Sequence, residues 1–409
     1  VRALNAACAA PDRLPLHAVE LAKAPDHYLL TLSNLYRDMQ LKGFDRFKDW
    51  LKTGATLLLM VALSLGLSAA ASRPTNIMPA GNPITDGKAL LRYSLPIDNA
   101  PVRELQGSLE DIATQLRANR RWGAIAGDVK RASWILRDKE PAILASIPAA
   151  KQAEAQALLT QMKEGITPLQ AAIEVKDKEQ TFQQRSELLN LVGQLEESMV
   201  QAFPFEVPAA YSNLPQLKGR ATIEFTTNKG KMTAVVDGYS APVTAGNFVD
   251  LVQRGFYNNL PFTRSEESYV LQIGDPPGDD VGFIDPKTKK YRAIPLEVLV
   301  QGDNEPTYEI TLEDAGRYKD QPVLPFSSYG ALAMARPGED PNGGSSQFFF
   351  FLFEPELTPA GRNLLDGRYS VFGYVIEGKD VLEQLRAGDK IESATVIQGL
   401  NALVEPKTA

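Results

Sequence analysis

The sequence predicts a multidomain protein of α and β parts, an N-terminal antiparallel helical bundle followed by a β domain, and three observations carry that reading. Over residues 84–203 apolar side chains recur three and four apart, the spacing of helices that bury one face. Beyond residue 217 the pattern shortens to runs in which polar groups stand singly among apolar ones, as on strands whose side chains alternate between two faces. Between the two, Phe203-Pro204-Phe205-Glu206-Val207-Pro208 and the stretch to Pro215 are punctuated by prolines, which marks residues 204–216 as a linker.

The chain opens on what reads as a targeting segment, residues 1–71, expected to be removed. Basic Lys42, Arg46, Lys48 and Lys52 precede an apolar run from Ala55 to Leu67, and small residues Ser68 to Ser72 follow. The run is short for a membrane span, and Ala69-x-Ala71 suits a cleavage site. No twin arginine precedes it, so export is expected to be of the Sec type. The residues ahead of Lys42 suggest an earlier stage of import, chloroplast first and thylakoid lumen second, although Asp12, Glu20, Asp26 and Asp38 make them more acidic than the usual transit peptide.

That expectation has a chemical consequence. The single cysteine, Cys8, and the only histidines, His17 and His27, all fall within the segment. A chain without it has no thiol or Ser-His-Asp nucleophile system, no histidine base, no usual zinc ligand set and no disulfide. Its chemistry must use carboxylates, Lys, Tyr or Arg, or transfer no proton at all. A net charge of −7 argues against a nucleic-acid partner.

In the helical part, Val102, Leu105, Leu109, Ile112 and Leu116 form one stripe behind the start signal Pro101, and Trp122, Ile125, Val129, Ala132 and Leu136 form a second. A third, Ala-rich helix is expected from about Ala149 to Glu164, stopping at Gly165. Thr167 and Gln170 around Pro168 read as a capping box opening a fourth, with Leu188, Val192, Leu195 and Met199 on its apolar face. These stripes are expected to cover one another.

In the β part, Ser345-Ser346-Gln347-Phe348-Phe349-Phe350-Phe351-Leu352 is too apolar for a loop, and alternation puts Gln347 and Phe349 on one face, Phe348 and Phe350 on the other. Upstream, Phe262-Thr263-Arg264 and Tyr269-Val270-Leu271-Gln272-Ile273-Gly274-Asp275 again set single polar groups among strand residues, and downstream come Leu364-Leu365-Asp366-Gly367 and Val371-Phe372-Gly373. In this order, over about Leu217 to Val404, the motifs resemble the cyclophilins. The resemblance implies a closed, eight-stranded β-barrel over residues 217–404 and peptidyl-prolyl cis-trans isomerase activity without cofactor or metal. It implies that Arg264 is catalytic and that Phe262, Tyr269, Val270, Gln272, Ala335, Arg336, Gln347, Phe349, Leu365 and Tyr369 bind substrate.

The chemistry suits the composition. Amide resonance sets a rotational barrier of about 18–20 kcal/mol. An Arg264 guanidinium donating toward the prolyl nitrogen withdraws its lone pair from that resonance, while an apolar wall of Phe349, Val270 and Leu365 excludes the water that favours the planar ground state. Gln272 and Gln347 are expected to hold the arginine and the substrate carbonyls. The family's usual His is replaced by Thr263, its Phe by Tyr269, its Met by Val270, its Trp by Leu364, its second His by Tyr369, and its Asn-Ala by Arg336-Pro337. These departures make weak activity the expectation, with a non-catalytic scaffold or chaperone that binds proline-containing loops as the alternative.

Between Asp275 and Tyr329 runs a long acidic excursion with no calcium-loop spacing, read as a solvated insertion. Ala89-Leu90-Leu91-Arg92-Tyr93-Ser94-Leu95-Pro96-Ile97-Asp98-Asn99 and the following Leu109-Glu110-Asp111-Ile112 carry a closer resemblance, to the forty-kilodalton cyclophilin-like proteins of the thylakoid lumen of plants and algae. That resemblance implies a role in assembly and repair of photosystem II. Lumenal photosystem II subunits would be partners, and peripheral contact with thylakoid membrane complexes would follow. The short linker further suggests that the bundle, or a linker proline such as Pro204, Pro208 or Pro215, covers the pocket in the free protein.

Overall fold

The computed structural model describes residues 84–118, 121–353 and 363–406. The expected targeting segment, its cleavage site, Cys8, His17 and His27 lie outside the described residues. No helix among the described residues is long and apolar enough to cross a membrane.

Among the described residues six α-helices come first: α1 (Gly87–Ser94), α2 (Ala100–Arg117), α3 (Trp122–Asp138), the short α4 (Glu140–Leu144), α5 (Gln152–Glu174) and α6 (Lys178–Met199). Helix α2 begins where Asn99 accepts from the Val102 amide at 3.0 Å, and its buried positions include Val102, Leu105, Leu109, Ile112 and Leu116. The stripes of α2, α3, α5 and α6 merge into one apolar core. Helix α1 was not anticipated as an element, although Asp86 caps it by accepting from the Lys88 amide.

Two boundaries differ from expectation. Helix α5 does not stop at Gly165 but runs on through Pro168 to Glu174. Gly165 serves close approach instead: a Cβ there would lie 2.9 Å from Leu188 Cδ2 on α6. Pro168 lacks only one amide, a loss the packed helix tolerates, so Thr167 and Gln170 do not open a helix. The break comes at Lys176, whose φ of 55° is left-handed. There the Lys176 amide donates to Ile173 O at 3.0 Å and the Asp177 amide to Ala172 O at 2.9 Å, closing the last turn of α5. Asp177 then caps α6 through the Gln180 amide.

The β part comprises β1 (Gln216–Leu217), β2 (Arg220–Thr227), β3 (Gly230–Asp237), α7 (Pro242–Gln253), β4 (Leu260–Pro261), β5 (Arg264–Glu266), β6 (Val270–Ile273), β7 (Glu297–Val298), β8 (Thr307–Tyr308), β9 (Ala331–Met334), β10 (Phe348–Phe351), β11 (Val371–Glu377), α8 (Lys379–Leu382), β12 (Lys390–Gln398) and β13 (Leu403–Val404). Nine strands form an antiparallel sheet in the order β4-β12-β2-β3-β11-β9-β10-β6-β5, while β1 pairs with β13 and β7 with β8. This corrects the expected closed eight-stranded barrel: the sheet is curled but open. Its end strands β4 and β5 are not paired with each other. The chain passes from one to the other through Phe262 and Thr263, with the Phe262 amide donating to Asp389 O at 2.8 Å and the Thr263 amide to Gln272 O at 3.0 Å.

The sheet has two apolar faces. On the inner face Phe348, Phe350, Phe372 and Phe225 pack with Phe248 of α7 in edge-to-face and tilted ring contacts. On the outer face Phe349, Phe351, Val270, Ala331, Ala333 and Tyr374 gather around Phe326 from the long excursion and Leu90 and Leu91 from α1. Helix α1 lies tight against β11, because a Cβ at Gly87 would stand 2.8 Å from Tyr374 Cβ. At this junction Arg220 is largely buried, its side chain 12% exposed. Its Nε donates to Asp237 at 3.2 Å and its Nη2 to Ser94 Oγ at 2.9 Å and to the Leu91 carbonyl. The linker is pinned as well, with Val207 and Tyr211 packed on the inner cluster and Lys218 over the Phe203 ring.

Candidate functional site

Register places the site. In β5 and β6 Arg264 stands opposite Gln272, and Glu266 opposite Val270. In β6 and β10 Gln272 pairs with Phe349, and in β10 and β9 Phe349 pairs with Ala333. Directly opposed residues share a face, so one row of outer-face side chains runs from Arg264 through Gln272 to Phe349. At its end a cavity of about 250 Å³ opens, lined by Arg264, Tyr269, Val270, Gln272, Ala335, Arg336, Phe349, Leu365 and Tyr369. All nine were singled out from the sequence. The volume is below the roughly 300–1,000 Å³ of sites for drug-sized ligands, which suits one small ring.

Phe349 forms the floor. Its ring stacks on Phe326 with centroids 6.0 Å apart and meets Tyr369 edge-on at 5.5 Å. The turn that carries Leu365 is tied to the same floor, since Asp366 accepts from the Phe326 amide at 2.8 Å and from the Asn363 amide at 3.1 Å. Arg336 is fixed at the rim by donating to the carbonyls of Arg368, Pro337 and Gly338, each at 3.0 Å, with its guanidinium 5.2 Å from the Tyr369 ring centroid. Leu364 is exposed on the turn and does not line the cavity.

Two expected residues behave differently. Phe262 does not line the cavity. It is buried in the inner cluster with its ring 6.3 Å from Phe350, because the extended chain breaks between β4 and β5 and the alternation restarts at Arg264. Gln347 lines instead an adjoining cavity of about 210 Å³, which shares Gln272, Ala335 and Arg336 with the first. Nor do the two glutamines hold the arginine. Gln272 Nε2 donates to Gln347 Oε1 at 2.7 Å, and Gln347 Nε2 donates to Asp275 and to the Val281 carbonyl, both at 2.9 Å.

The group that holds Arg264 is Glu266, which sequence reasoning missed although residues two apart on a strand share a face. Its Oε1 accepts from Arg264 Nε at 2.8 Å and from Nη2. Phe326 and Asp366, which brace the floor and the Leu365 turn, were also missed as site residues; only the Leu-Asp-Gly motif pointed at one of them. Among the described residues no residue of the bundle or the linker lines either cavity, so the expected cover over the pocket is not present. The helical part reaches the site through Leu90 and Leu91, which share the outer-face cluster with Phe326 and Phe349.

A family model described as cyclophilin type peptidyl-prolyl cis-trans isomerase/CLD matches residues 222–401, and one described as peptidyl-prolyl cis-trans isomerase CYP38-like, PsbQ-like domain matches residues 86–200. The chain is 58% identical over 354 residues to a putative thylakoid lumen peptidyl-prolyl cis-trans isomerase of Synechocystis sp., covering 85% of this chain and 93% of the relative. It is 42% identical over 341 residues to the chloroplastic isomerase CYP38 of Arabidopsis thaliana, covering 81% of this chain and 78% of the relative. To the chloroplastic CYP37 of the same plant it is 32% identical over 429 residues, covering 96% and 88%.

Proposed function

The chain belongs to the cyclophilin-type peptidyl-prolyl cis-trans isomerases, in a thylakoid-lumen group that carries a PsbQ-like helical domain, and from that premise we propose that Arg264 is its catalytic group and prolines in loops of lumenal photosystem II subunits its substrates. The protein is a peptidyl-prolyl cis-trans isomerase, and the thylakoid lumen is its compartment. The observation that supports the assignment of Arg264 is its place in the wall of a small cavity that also holds Phe349, Val270 and Leu365.

The reaction needs no proton transfer. A prolyl ring seated on Phe349, between Val270 and Leu365, leaves its nitrogen near the rim where Arg264 stands. As the amide twists, the nitrogen lone pair is released from resonance and accepts a hydrogen bond that the planar ground state cannot accept as well. The carbonyl loses part of its charge at the same time, so the dry wall of Phe349 and Val270, each 5% exposed, favours the twisted form over the planar one. Activity is expected to be weak, because Arg264 is already occupied by Glu266 and the family's Trp is here the exposed Leu364.

The role in photosystem II assembly and maintenance draws support from the PsbQ-like match of residues 86–200 and from the family resemblance. A protease-coupled isomerisation assay on the full chain tests the chemistry: Arg264→Ala is expected to lower kcat/KM roughly a hundredfold, the cost of losing one positioned transition-state donor. Unchanged turnover in that variant removes Arg264 from the mechanism. Panels of peptides from lumenal segments of photosystem II subunits test the substrate, and binding no tighter than to proline-free controls rejects it. The exposed Leu364 and the occupied Arg264 favour a second reading, in which the protein binds such loops as a scaffold or chaperone without turning them over.

A further inference from the structure

Glu266 is unexplained by the isomerase reading, and it touches the group on which that reading turns. It sits half exposed on β5 beside Arg264, with the two side chains 45% and 55% exposed. All of its bonding to the guanidinium goes through Oε1, which accepts from Nε and Nη2, while no described residue donates to Oε2. The cavity wall itself carries two guanidiniums, Arg264 and Arg336, and no carboxylate. Arg336 is satisfied by three backbone carbonyls and the Tyr369 ring, so Glu266 has no second described cation to serve.

Resting on the catalytic reading of Arg264, we propose that Glu266 is a specificity-determining residue that makes the isomerase prefer prolyl segments carrying Lys or Arg beside the proline. A neutral segment must draw the arginine fork away from Glu266 before Nε and Nη2 can serve the twisting amide. A segment with its own cation supplies Oε2 with a partner, which shares the carboxylate charge and loosens its hold on the guanidinium. An acidic segment meets repulsion from Glu266 and bonds Arg264 itself, leaving the donors misdirected. The exchange is accessible because an exposed ion pair contributes only about 0–1 kcal/mol.

The experiment uses the full chain and a set of short peptides with Ala, Lys or Glu placed in turn at the two positions on each side of one proline. Isomerisation rates and peptide affinities are measured for the protein, for Glu266→Gln and for Glu266→Asp. The protein is expected to turn over Lys peptides faster than Ala peptides, and Ala faster than Glu. Glu266→Gln is expected to raise kcat for Ala peptides roughly two- to fivefold, the range an exposed pair allows, at little-changed KM, and to equalise Lys and Ala peptides. Glu266→Asp is expected to keep the preference, and 1 M salt to erase it, since charges are screened within about 3 Å there. If the protein and Glu266→Gln show the same charge preference in both rate and affinity, the proposal is overturned. If nothing is turned over by any form, yet Lys peptides bind more tightly only where Glu266 is present, the selectivity stands and the catalytic reading of Arg264 falls.

Discussion

Two of the arginine–carboxylate clusters among the described residues, Arg220 with Asp237 and Arg264 with Glu266, differ in their access to water. At the junction of α1 with the sheet, Arg220 is 12% exposed and Asp237 fully buried, with Ser94 and Ser240 donating to Asp237 Oδ2 at 2.8 and 2.9 Å. At the pocket mouth, the side chains of Arg264 and Glu266 are half in solvent and hydrogen-bond each other and no other described side chain. In the first cluster Asp237 can exchange little, because a lone pair it loses stays buried, while the Arg220 Nη1 also reaches the half-exposed Glu197 at 3.3 Å. The second can trade partners at little cost. Burial therefore separates an ion pair that anchors Ser94 and Leu91 of α1 on the sheet from one that stays open to solvent.

The sharpest way to break this contrast is to remove each arginine in turn. Arg220→Ala leaves the Asp237 charge buried without a cation, and loss of one partner of a buried pair costs about 3–5 kcal/mol. The denaturation midpoint is expected to fall accordingly. Peptide affinity is expected to weaken with it, because α1 and its Leu90–Leu91 face back the Phe326–Phe349 floor. A midpoint equal to that of the unaltered protein would erase the distinction. Arg264→Ala, by contrast, is expected to shift stability by no more than about 0.5 kcal/mol while removing most of the activity. Substantial unfolding in this variant would mean that the exposed pair is structural after all.

A smaller effect sharpens what burial does without a cationic partner. Glu297 lies buried at the start of α7, where its Oε2 accepts from the amides of Val243 at 3.1 Å and Thr244 at 2.9 Å. Burial pushes its carboxyl up to about 7, opposed by those amide hydrogen bonds. In the unfolded chain a Glu titrates near 4.3. Between these values the folded state holds the proton that the unfolded state has lost, so this group's contribution is complete below about pH 4.3 and declines as pH rises toward about 7. Thermal melts across that window are expected to show a downward slope with rising pH that Glu297→Gln flattens. Parallel curves for the two proteins would remove Glu297 from the pH response.

The comparison of regions also shows where sequence reading works. The face assignments within β10 followed from alternation, and the spacing of α2, α3 and α6 marked their buried stripes, because both depend on a repeat inside one element. The cavity wall was legible for nine residues because their motifs lie on strands β5, β6 and β10 and on the segments beside β9 and β11, which the fold brings into one row. Phe262, named as substrate-binding through the family resemblance, packs in the inner cluster instead, because the strand breaks after Pro261 and Phe262 does not share the face of Arg264. Helix α5 was cut short because a glycine that ends one helix in isolation can equally let two helices approach, and only Leu188 on α6 decides between them.

By itself the amino-acid sequence determined the two-part organisation, the helical and strand periods, the arginine and its apolar neighbours, and an isomerase chemistry that needs no histidine. The organisation and the periods are properties of local spacing and residue type, while the arginine, its neighbours and the chemistry follow from the resemblance of the ordered motifs to the cyclophilins. Tertiary structure alone decided that the sheet stays open, that the helical part meets it through α1 without lining the described cavities, and that the two glutamines bond each other. It also decided which carboxylate each arginine meets. A charged side chain reaches any opposite charge within several ångströms, so its partner depends on which segments the packed chain brings near it and on how much water remains between them.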